Sequence, residues 1–463
     1  MTGKQAHFRT IIVGSGPAGL APLVSASRDG RLDKLLAGGL AIIESTDAIG
    51  AGRLGRYAIT SDSTAETFLT AVTGHADKRL ERLLSTQLCL DLAKAGRGAV
   101  PLAQAAALMS EIGTVLAEAI LDTGGSVLTR HEALQARQGR DGAWTVTLRQ
   151  LDSGLEYDIT ADTLLLATGG EQSLERLRSE KVAGLPLWPT YEQTLLLSDD
   201  ALQPSGLALI RHRLAQSPRP QVAIAGGSTS ALAAAGLLLR ACPEATSTPG
   251  SITILHRRPL RVFYPSADAA LADGYTDFGP EDVCSLSGFV FRLAGLRLDS
   301  RDLLMGILGL GGRPPEQRVV LHRLDHSTSA ESHRVLASAD VVIAALGYRP
   351  RALALYDADG DDILLRGRLG KEPLVDDRCR ICNAEGHPIA NLFGIGLAAG
   401  FRPHGPLGGE PSFVGQANGL WLWQTAVGSI IVDSLLAASL PERAPLGLVV
   451  SSLSMSRSGQ LAG

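Results

Sequence analysis

The sequence has few features that would crosslink it, hold it in a membrane or attract polyanions. It contains five cysteines among 463 residues, and this odd number at scattered positions argues against a disulfide framework. No run of 18 apolar residues occurs, residues 1–10 are too polar for a signal peptide, and the net charge is only −4. These absences argue against a basic nucleic-acid footprint and predict a soluble, cytoplasmic protein with neither membrane nor nucleic-acid partners.

Cys379 and Cys382 form the one tempting C-x-x-C spacing. We interpret the surrounding residues as a strand, a turn at residues 384–387 and a second strand. Residues three apart on a strand point to opposite faces, so the pair is expected neither to form a disulfide nor to bind a metal. No second C-x-x-C completes a zinc site, and the sequence predicts no metal. A redox or metal role for this pair is the alternative.

The most informative stretch is IIVGSGPAGL, residues 11–20, which predicts a buried strand, a glycine turn and a helix. Gly14 suits the tight turn, Gly16 lets the backbone approach a pyrophosphate, and Gly19 allows close packing of helix on strand. The phosphates would rest on the free N–H groups at the helix start, in the segment that runs from Ser15 through Pro17 to Ala18. The pattern predicts a dinucleotide site; a glycine turn that binds nothing is the alternative.

A second apolar strand, residues 40–43, ends in Glu44, whose carboxylate can accept the ribose hydroxyls of an adenosine. Glu44 lies further from the glycine turn than is usual, which predicts a long helix from residue 17 to about 36. In the loop that follows, Arg53 and Tyr57 are expected to line the reactive end of the cofactor. Ser61 and Asp62 are further candidates there, with simple capping of the next helix as their alternative.

The centre of the chain contains helical, strand-like and irregular segments. Residues 64–122 are helical in period and predict a helical insertion, and the alternating pattern up to residue 168 predicts a short antiparallel sheet. A buried strand then ends at Thr168 and Gly169. These residues are small enough to let the chain pass beneath the first nucleotide. Proline-rich residues 171–220 resemble a linker. Residues 261–318 are irregular, and residues 318–324 and 333–351 resemble strands.

A second strand, turn and helix follows in QVAIAGGSTSALAAAG, with Gly226 and Gly227 at the turn. Ser228 stands where a third closely spaced glycine is usual, and its side chain weakens the match; Ser230 follows in the first helical turn. The next strand leads into Arg257 and Arg258 instead of an acid, which suits a 2′-phosphate and predicts NADP rather than NAD. A structural α/β unit without a ligand is the alternative.

The C-terminal region predicts a strand, a glycine-rich loop and a long helix. The loop contains Gly396, Leu397 and Gly409, which we expect at the cofactor. A helix N-terminus here would stabilise negative charge on a bound cofactor through its partial positive charge. His404, Glu410 and Gln416 are the polar groups on the same path, each equally explained as a loop or capping residue.

Two dinucleotide motifs, the ATGG segment between them and the ALGYRP segment after them resemble the two-dinucleotide-binding-domain flavoproteins. The resemblance implies an α/β fold of two Rossmann-like domains: an FAD-binding domain formed by residues 1–170, with the helical insertion at about 64–122, and by residues 336–463, and an NAD(P)H-binding domain at residues 220–335. It implies FAD at GSGPAG and Glu44, and NADPH at GGSTSA with Arg257 and Arg258.

Two differences from the sequence patterns of other flavoproteins indicate which branch of this superfamily the chain resembles. Leu397 stands where the disulfide reductases usually have an aspartate, and the F-x-G-x-x-x-H signature of Baeyer–Villiger enzymes is missing. The chain is most similar to the class B flavin monooxygenases, in particular the amine N-hydroxylases. This implies that NADPH reduces FAD, that O2 adds to give a C4a-hydroperoxyflavin, and that one oxygen passes to a small nucleophilic substrate such as an amine.

Two alternatives to the monooxygenase remain at this point: an FAD-dependent NAD(P)H reductase without oxygen insertion, and a flavin-binding protein without activity, for which Ser228 is the clue. No catalytic side chain is predicted, because the cofactor carries the chemistry. The sequence leaves the substrate and the oligomeric state open, with a homo-oligomer among the alternatives. The residues predicted to bind the cofactors are Gly14, Ser15, Gly16, Pro17, Ala18, Gly19, Glu44, Arg53, Tyr57, Thr168, Gly169, Gly226, Gly227, Ser228, Ser230, Arg257, Arg258, Gly396, Leu397 and Gly409.

Overall fold

The computed structural model describes residues 6–325, 329–351, 353–367, 372–416 and 419–438. Its first part begins with a parallel βαβ unit and continues into helices and an antiparallel meander. The elements are β1 (His7–Val13), α1 (Pro17–Arg28), α2 (Leu32–Leu36), β2 (Leu40–Ile43), α3 (Ala65–Leu69), α4 (Gln87–Ala95), α5 (Leu102–Asp122), β3 (Ser126–Leu128), β4 (His131–Gln138), β5 (Trp144–Gln150) and β6 (Glu156–Leu166).

The second part builds a separate sheet. Its elements are β7 (Gly170–Glu171), α6 (Arg176–Ser179), β8 (Lys181–Val182), β9 (Leu185–Pro186), β10 (Leu195–Leu197), α7 (Ser198–Ala201), α8 (Pro204–Leu214), β11 (Val222–Ala225), α9 (Thr229–Ala241), β12 (Ile252–His256), α10 (Ala267–Ala272), α11 (Leu298–Leu308), β13 (Val319–Arg323), α12 (Ser329–Ser338) and β14 (Val341–Ala344).

The chain then returns to the first part. The remaining elements are β15 (Arg349–Pro350), β16 (Ala354–Tyr356), β17 (Arg380–Cys382), β18 (Pro388–Gly394), α13 (Leu420–Leu422), a π-helical turn (Trp423–Val427) and α14 (Gly428–Ala437). The two crossings between the parts lie side by side, because β7 on the outward path pairs antiparallel with β15 on the return path.

The first sheet runs in the order β16-β4-β5-β6-β1-β2-β3, with β18 paired to β6 and β17 to β18. β6 joins its two halves: it pairs antiparallel with β5 and parallel with β1 and β18. The second sheet is entirely parallel, in the order β10-β14-β11-β12-β13. Each sheet has its own buried core. The α/β class with two Rossmann-like sheets, predicted from the two glycine motifs, is confirmed.

Several local predictions need correction. The long helix predicted from residue 17 to about 36 is two helices, because α1 ends at Arg28 and Gly30 follows with a φ of +67°. Residues 171–220 are not a linker. Prolines in this segment suggested a linker, but Pro204 lies in the first turn of the helix α8, where the missing N–H is tolerated.

The boundaries drawn at 220–335 are therefore too narrow for the second sheet. Its edge strand β10 lies before residue 220, and β14 lies after residue 335. Residues 329–338 are the helix α12, so the segment 333–351 that resembled one strand begins in a helix and contains β14 only from residue 341. The irregular segment 261–318 also contains the helix α11, whose buried residues include Leu304 and Met305.

Two helical segments, Leu102–Asp122 and Leu420–Ala437, are long and apolar enough to cross a membrane by length and composition alone. Both pack into the first core, α5 through residues such as Ile112 and Leu116 and the C-terminal segment through Ile431. Burial in a core explains their apolar character, and we assign both as core helices.

The five cysteines are buried and free. Cys382 ends β17, whereas Cys379 lies just before this strand in a turn with a φ of +61°. The predicted turn at residues 384–387 is present, with Gly386 at a φ of +86°. Within the described residues, no group of three or more His, Cys, Asp and Glu side chains could hold a metal ion.

At Gly113, inside α5, the helix propensity of alanine and the close packing of the helix predict opposite effects of a substitution on stability. Alanine normally stabilises a helix interior by about 1 kcal/mol over glycine. At Gly113, however, a Cβ would lie 2.3 Å from the carbonyl oxygen of Ile49. We expect Gly113→Ala to lower the free energy of unfolding by about 2 kcal/mol, measured by urea denaturation.

Gly236 in α9 is the matched control, since its Cβ would first meet the end of the Arg240 side chain at 3.3 Å, which can move. Gly236→Ala should leave stability unchanged or raise it slightly. Equal effects of the two substitutions would contradict the packing argument.

Candidate functional site

The carboxyl ends of the parallel strands of the first sheet meet at one edge. Backbone hydrogen bonds connect them: Gly14 N–H donates to Ile43 O, Ala167 N–H to Val13 O, and Ile395 N–H to Leu166 O. This edge is where ligands bind in open α/β sheets. The glycine turn, Glu44, the ATGG segment and the start of the C-terminal loop therefore surround one crevice.

The glycine turn between β1 and α1 leaves no room for side chains at two of its three glycines. Gly14 has a φ of +92°, and a Cβ there would lie 2.4 Å from Ala167 O. A Cβ at Gly19 would lie 2.0 Å from Gly14 O. At Gly16 the nearest atom to an added Cβ is Gly52 Cα at 3.4 Å, an ordinary separation. The polypeptide itself therefore does not require glycine at position 16, which points to a ligand that does.

Glu44 lies directly after β2, with its carboxylate 3.0 Å from Ser15 N and 2.7 Å from Ser15 Oγ. Its other oxygen accepts hydrogen bonds from Thr46 N and Thr46 Oγ1. Burial alone would raise the pKa of Glu44, but the hydrogen bonds from Ser15 and Thr46 outweigh it and hold the pKa below the usual value. A carboxylate beside the glycine turn is thus kept ionised, as acceptance of ribose hydroxyls requires.

The C-terminal loop closes on the start of α1. Gly396 has a φ of +81°, and a Cβ there would lie 2.6 Å from the Cβ of Ala18. Leu397 follows with its side chain exposed, and Pro17 precedes Ala18 as the first residue of α1. The backbone of Gly52 also packs against this turn, at Gly16. Together these segments form a narrow cradle whose floor is backbone, which fits the pyrophosphate of a dinucleotide.

The second sheet repeats the arrangement. Gly226 has a φ of +134° after β11, and a Cβ there would lie 2.2 Å from Ala345 O, while one at Gly227 would lie 2.9 Å from the Cβ of His256. Ser228 is the N-cap of α9, exposed and extended, and Ser230 lies in the first helical turn. Serine is a common N-cap residue, so Ser228 is compatible with the turn.

A cavity of about 500 Å³ opens at this edge, lined by Gly226, Gly227, Ser228, Arg257 and Arg258 and by residues 345–347. Arg257 and Arg258 are both exposed. Glu180 Oε1 lies 3.6 Å from Arg257, whereas no carboxylate in the described part of the chain pairs with Arg258. Two arginines beside a helix N-terminus fit a dinucleotide that carries an extra phosphate.

Some residues predicted at the cofactor have other partners. Arg53 and Tyr57 both bind the carboxylate of Asp199 in α7. Thr168 Oγ1 donates to Arg351 O, and the neighbouring Gly169 accepts a hydrogen bond from Arg351 N–H, so both lie at the crossing between the two parts.

The residues of the glycine-rich C-terminal loop face different parts of the molecule. Gly409 packs against Leu293, where a Cβ would lie 2.6 Å away. Glu410 accepts hydrogen bonds from Leu293 N and Ala294 N, and so joins the loop to the second part. Gln416 lies against Gly400, and His404 is exposed.

The sequence did not indicate that Asp199, Gln172 and Tyr348 come together where the two parts meet: Gln172 accepts a hydrogen bond from Asp199 N–H, and Tyr348 Oη donates to the Asp199 carboxylate. Asp199 was not predicted because its segment resembled a linker. Gln172 was not predicted because a single polar residue shortly after a glycine pair carries no distinctive pattern. Tyr348 had a signal, since it lies in the GYRP segment after β14, but nothing local indicated a partner.

A second cavity, of about 310 Å³, lies between the loop after β2 and the helices α9 and α11. Its walls are largely apolar, with Leu54, Leu232 and Leu303 among them, and Asp62 and Asp299 supply carboxylates. The side chain of Asp62 is exposed to solvent where it borders this cavity. Thr229 lines this cavity while its neighbour Ser228 lines the other, so the two cavities flank the start of α9.

Comparison with known proteins decides between the alternatives. No protein-family model matches the chain. A hydroxylase from Streptomyces rubellomurinus that is named CMP-5'-(3-aminopropyl)phosphonate hydroxylase is 31% identical over 439 residues, 93% of this chain and 98% of that protein. The chain belongs to the class B flavin monooxygenases.

Solved structures agree on the fold of this monooxygenase. L-lysine 6-monooxygenase from Pseudomonas syringae matches with a TM-score of 0.54 at 13% identity, over 93% of this chain and 100% of that one. The FAD-bound cadaverine monooxygenase DfoA from Erwinia amylovora matches with a TM-score of 0.54 at 11% identity, over 97% of this chain and 100% of that one.

The family settles the class of reaction. This monooxygenase uses FAD and NADPH and acts on a small molecule with O2. The prediction of an FAD-dependent, NADPH-linked monooxygenase is confirmed, and it is preferred over the reductase and the inactive flavoprotein because the similar full-length relative is a hydroxylase.

Proposed function

We propose that this monooxygenase hydroxylates the primary amine of a substrate in which a short alkyl chain links the amine to a phosphonate, carried as a nucleotide conjugate. The observation that carries the proposal is the 31% identity over nearly the full length of both chains to the hydroxylase from Streptomyces rubellomurinus, whose name specifies an aminopropyl phosphonate joined to CMP. Ornithine, lysine and cadaverine are the competing amine substrates.

We also propose where the cofactors bind. FAD would lie in the cradle at the edge of the first sheet, and NADPH in the cavity at the edge of the second. The first part with the C-terminal region would thus form the FAD-binding domain, and the sheet from β10 to β14 the NADPH-binding domain. When bound, FAD would accept a hydride from NADPH and then activate O2, which supplies the oxygen atom. We also propose the cytoplasm as the location of the enzyme.

The cavity lined by Asp62 fits the amine end of the substrate. Its apolar wall can accept an alkyl chain, and its carboxylates can attract the ammonium group before it loses a proton. It lies next to the start of α9, on the other side of which NADPH is proposed to bind. The chain would thereby hold the amine close to the reacting end of the cofactors and shield it from water.

The experiment compares amines with the purified, FAD-loaded enzyme. The panel is CMP-5'-(3-aminopropyl)phosphonate, free 3-aminopropylphosphonate, ornithine, lysine and cadaverine, with consumption of NADPH and O2 followed together with the mass of the product. We expect product with one added oxygen, in a ratio to NADPH near one, from the nucleotide conjugate. Coupled hydroxylation of an amino acid or of cadaverine, with the conjugate only wasting NADPH, would disprove the proposal.

Asp62→Asn tests the cavity. The amide keeps the size of the side chain but removes the charge that attracts the ammonium group. We expect the KM for the amine to rise about tenfold, corresponding to about 1.4 kcal/mol, with flavin content and anaerobic reduction by NADPH unchanged. Asp200→Asn, at an exposed carboxylate, is the control. An unchanged KM would remove Asp62 from the substrate site.

A further inference from the structure

A buried carboxylate, Asp199, lies where the two parts of the molecule meet. It follows the edge strand β10 at the carboxyl end of the second sheet, in α7, and is 6% exposed. Arg53 Nη2 donates to its Oδ2 and Tyr57 Oη to its Oδ1, both at 2.5 Å. Tyr348 Oη donates to Oδ1 as well, at 3.0 Å. One carboxylate thus receives three donors from two separate segments, the loop after β2 and the segment before β15.

The crossing between the parts joins the same cluster. Gln172, directly after β7, accepts a hydrogen bond from Asp199 N–H at 3.0 Å and donates to Ser198 Oγ at 2.9 Å. Tyr348 directly precedes β15, the partner of β7. Nearby, Ala58 N–H donates to Leu202 O. A rotation of the second sheet relative to the first about this crossing would break these bonds together.

Each end of the cluster adjoins one of the two dinucleotide turns. Arg53 directly follows Gly52, which packs against Gly16 in the first turn. Tyr348 directly follows Gly347, which lines the cavity beside Gly226 in the second turn. A connected path between the two turns therefore passes through the carboxylate of Asp199.

The hydroxyl groups of Tyr57 and Tyr348 remain protonated and donate hydrogen bonds to Asp199. Burial, with Asp199 as the next cause, raises the pKa of Tyr57 to about 12. Burial also raises the pKa of Tyr348, with Tyr57 and Asp199 adding to the effect. Both phenols stay protonated over the range in which an enzyme works, so both hydrogen bonds to the carboxylate persist.

We propose that Asp199 is a positioning residue that holds the nicotinamide-binding part in the orientation needed for hydride transfer to the flavin. Arg53 and Tyr57, predicted from the sequence to line the reactive ring, act through Asp199 instead. Hydride transfer depends steeply on the distance and angle between donor and acceptor carbons, and a displacement of about 1 Å can reduce a rate by up to about 100-fold. The inference concerns the NADPH half of the reaction and is independent of the proposed substrate.

The test is anaerobic reduction of the FAD-loaded enzyme by NADPH in a stopped-flow spectrometer, without any amine. In Asp199→Asn one of the two acceptor oxygens becomes an NH2 donor, so the side chain can no longer accept hydrogen bonds from Arg53 on one side and from both tyrosines on the other. We expect the limiting rate of flavin reduction, per bound flavin, to fall at least about tenfold, while the dissociation constant for NADPH changes less than about threefold. Deuterated NADPH should show an isotope effect at least as large as in the wild type.

Two controls separate positioning from a general structural role. Asp200→Asn, at the exposed neighbour, should reduce at the wild-type rate. Reoxidation by O2 of Asp199→Asn reduced with dithionite should also be normal, because that step does not need the nicotinamide. Loss of FAD or of thermal stability with an unchanged reduction rate per bound flavin would overturn the proposal.

Tyr57→Phe and Tyr348→Phe keep the proposal testable if Asp199→Asn does not fold. Each removes one hydroxyl and retains its ring, and we expect the limiting reduction rate to fall in both. Wild-type reduction rates in both tyrosine variants would overturn the proposal as well.

Discussion

Gly16→Ala is expected to prevent this monooxygenase from retaining FAD while leaving its fold intact. The backbone at Gly16 has a φ of −64°, which any residue adopts, and the nearest atom to an added Cβ is Gly52 Cα at 3.4 Å. The protein alone thus tolerates the methyl group. If the pyrophosphate of FAD lies against this backbone, the methyl group occupies its place and weakens binding by about 100-fold, or about 2.7 kcal/mol.

The measurement is the dissociation constant of FAD for the deflavinated protein, together with the melting temperature of that protein. Gly14→Ala is the contrasting variant, because its Cβ would lie 2.4 Å from Ala167 O at a φ of +92°, so it should destabilise the protein whether or not FAD is present. If Gly16→Ala binds FAD as tightly as the wild type, the cradle at the first turn is not the flavin site.

The sequence predicts the two glycine turns well because their causes are local. A strand, a residue with positive φ and a helix start follow one another within ten residues, and the pattern requires no distant partner. Glu44 is predicted equally well, because it directly follows β2 and the adjacent parallel strand β1 brings the glycine turn with Ser15 to the same edge of the sheet. The parallel sheets and the family resemblance follow from these local units.

The interactions between the two parts could not be predicted in this way. Arg53 and Tyr57 lie in a loop that follows the first turn, and their position suggested a flavin contact. Their actual partner, Asp199, is about 140 residues away in the chain, and only the tertiary fold places it there. The segment that contains Asp199 also has prolines that are typical of linkers, although Pro204 begins a helix.

Arg258→Ala is expected to remove the preference for NADPH over NADH. Arg258 lines the cavity at the second turn, and its guanidinium has no carboxylate partner in the described part of the chain, so it is free to bind a phosphate. A charge-assisted hydrogen bond to the 2′-phosphate contributes about 1.5–3 kcal/mol. Its loss should raise the KM for NADPH between about 10- and 100-fold and leave the KM for NADH unchanged, since NADH lacks this phosphate.

Arg257→Ala is the matched comparison, because the neighbouring arginine faces Glu180 at 3.6 Å and already has a counter-charge. Its effect on the KM for NADPH should be the smaller of the two. The assay is the initial rate of NADPH or NADH oxidation by the FAD-loaded enzyme over a range of each coenzyme. An unchanged ratio of kcat/KM for the two coenzymes in Arg258→Ala would show that Arg258 does not recognise the phosphate. A larger loss in Arg257→Ala would instead mean that the phosphate displaces Glu180 from Arg257, because only then could the paired arginine provide the stronger contact.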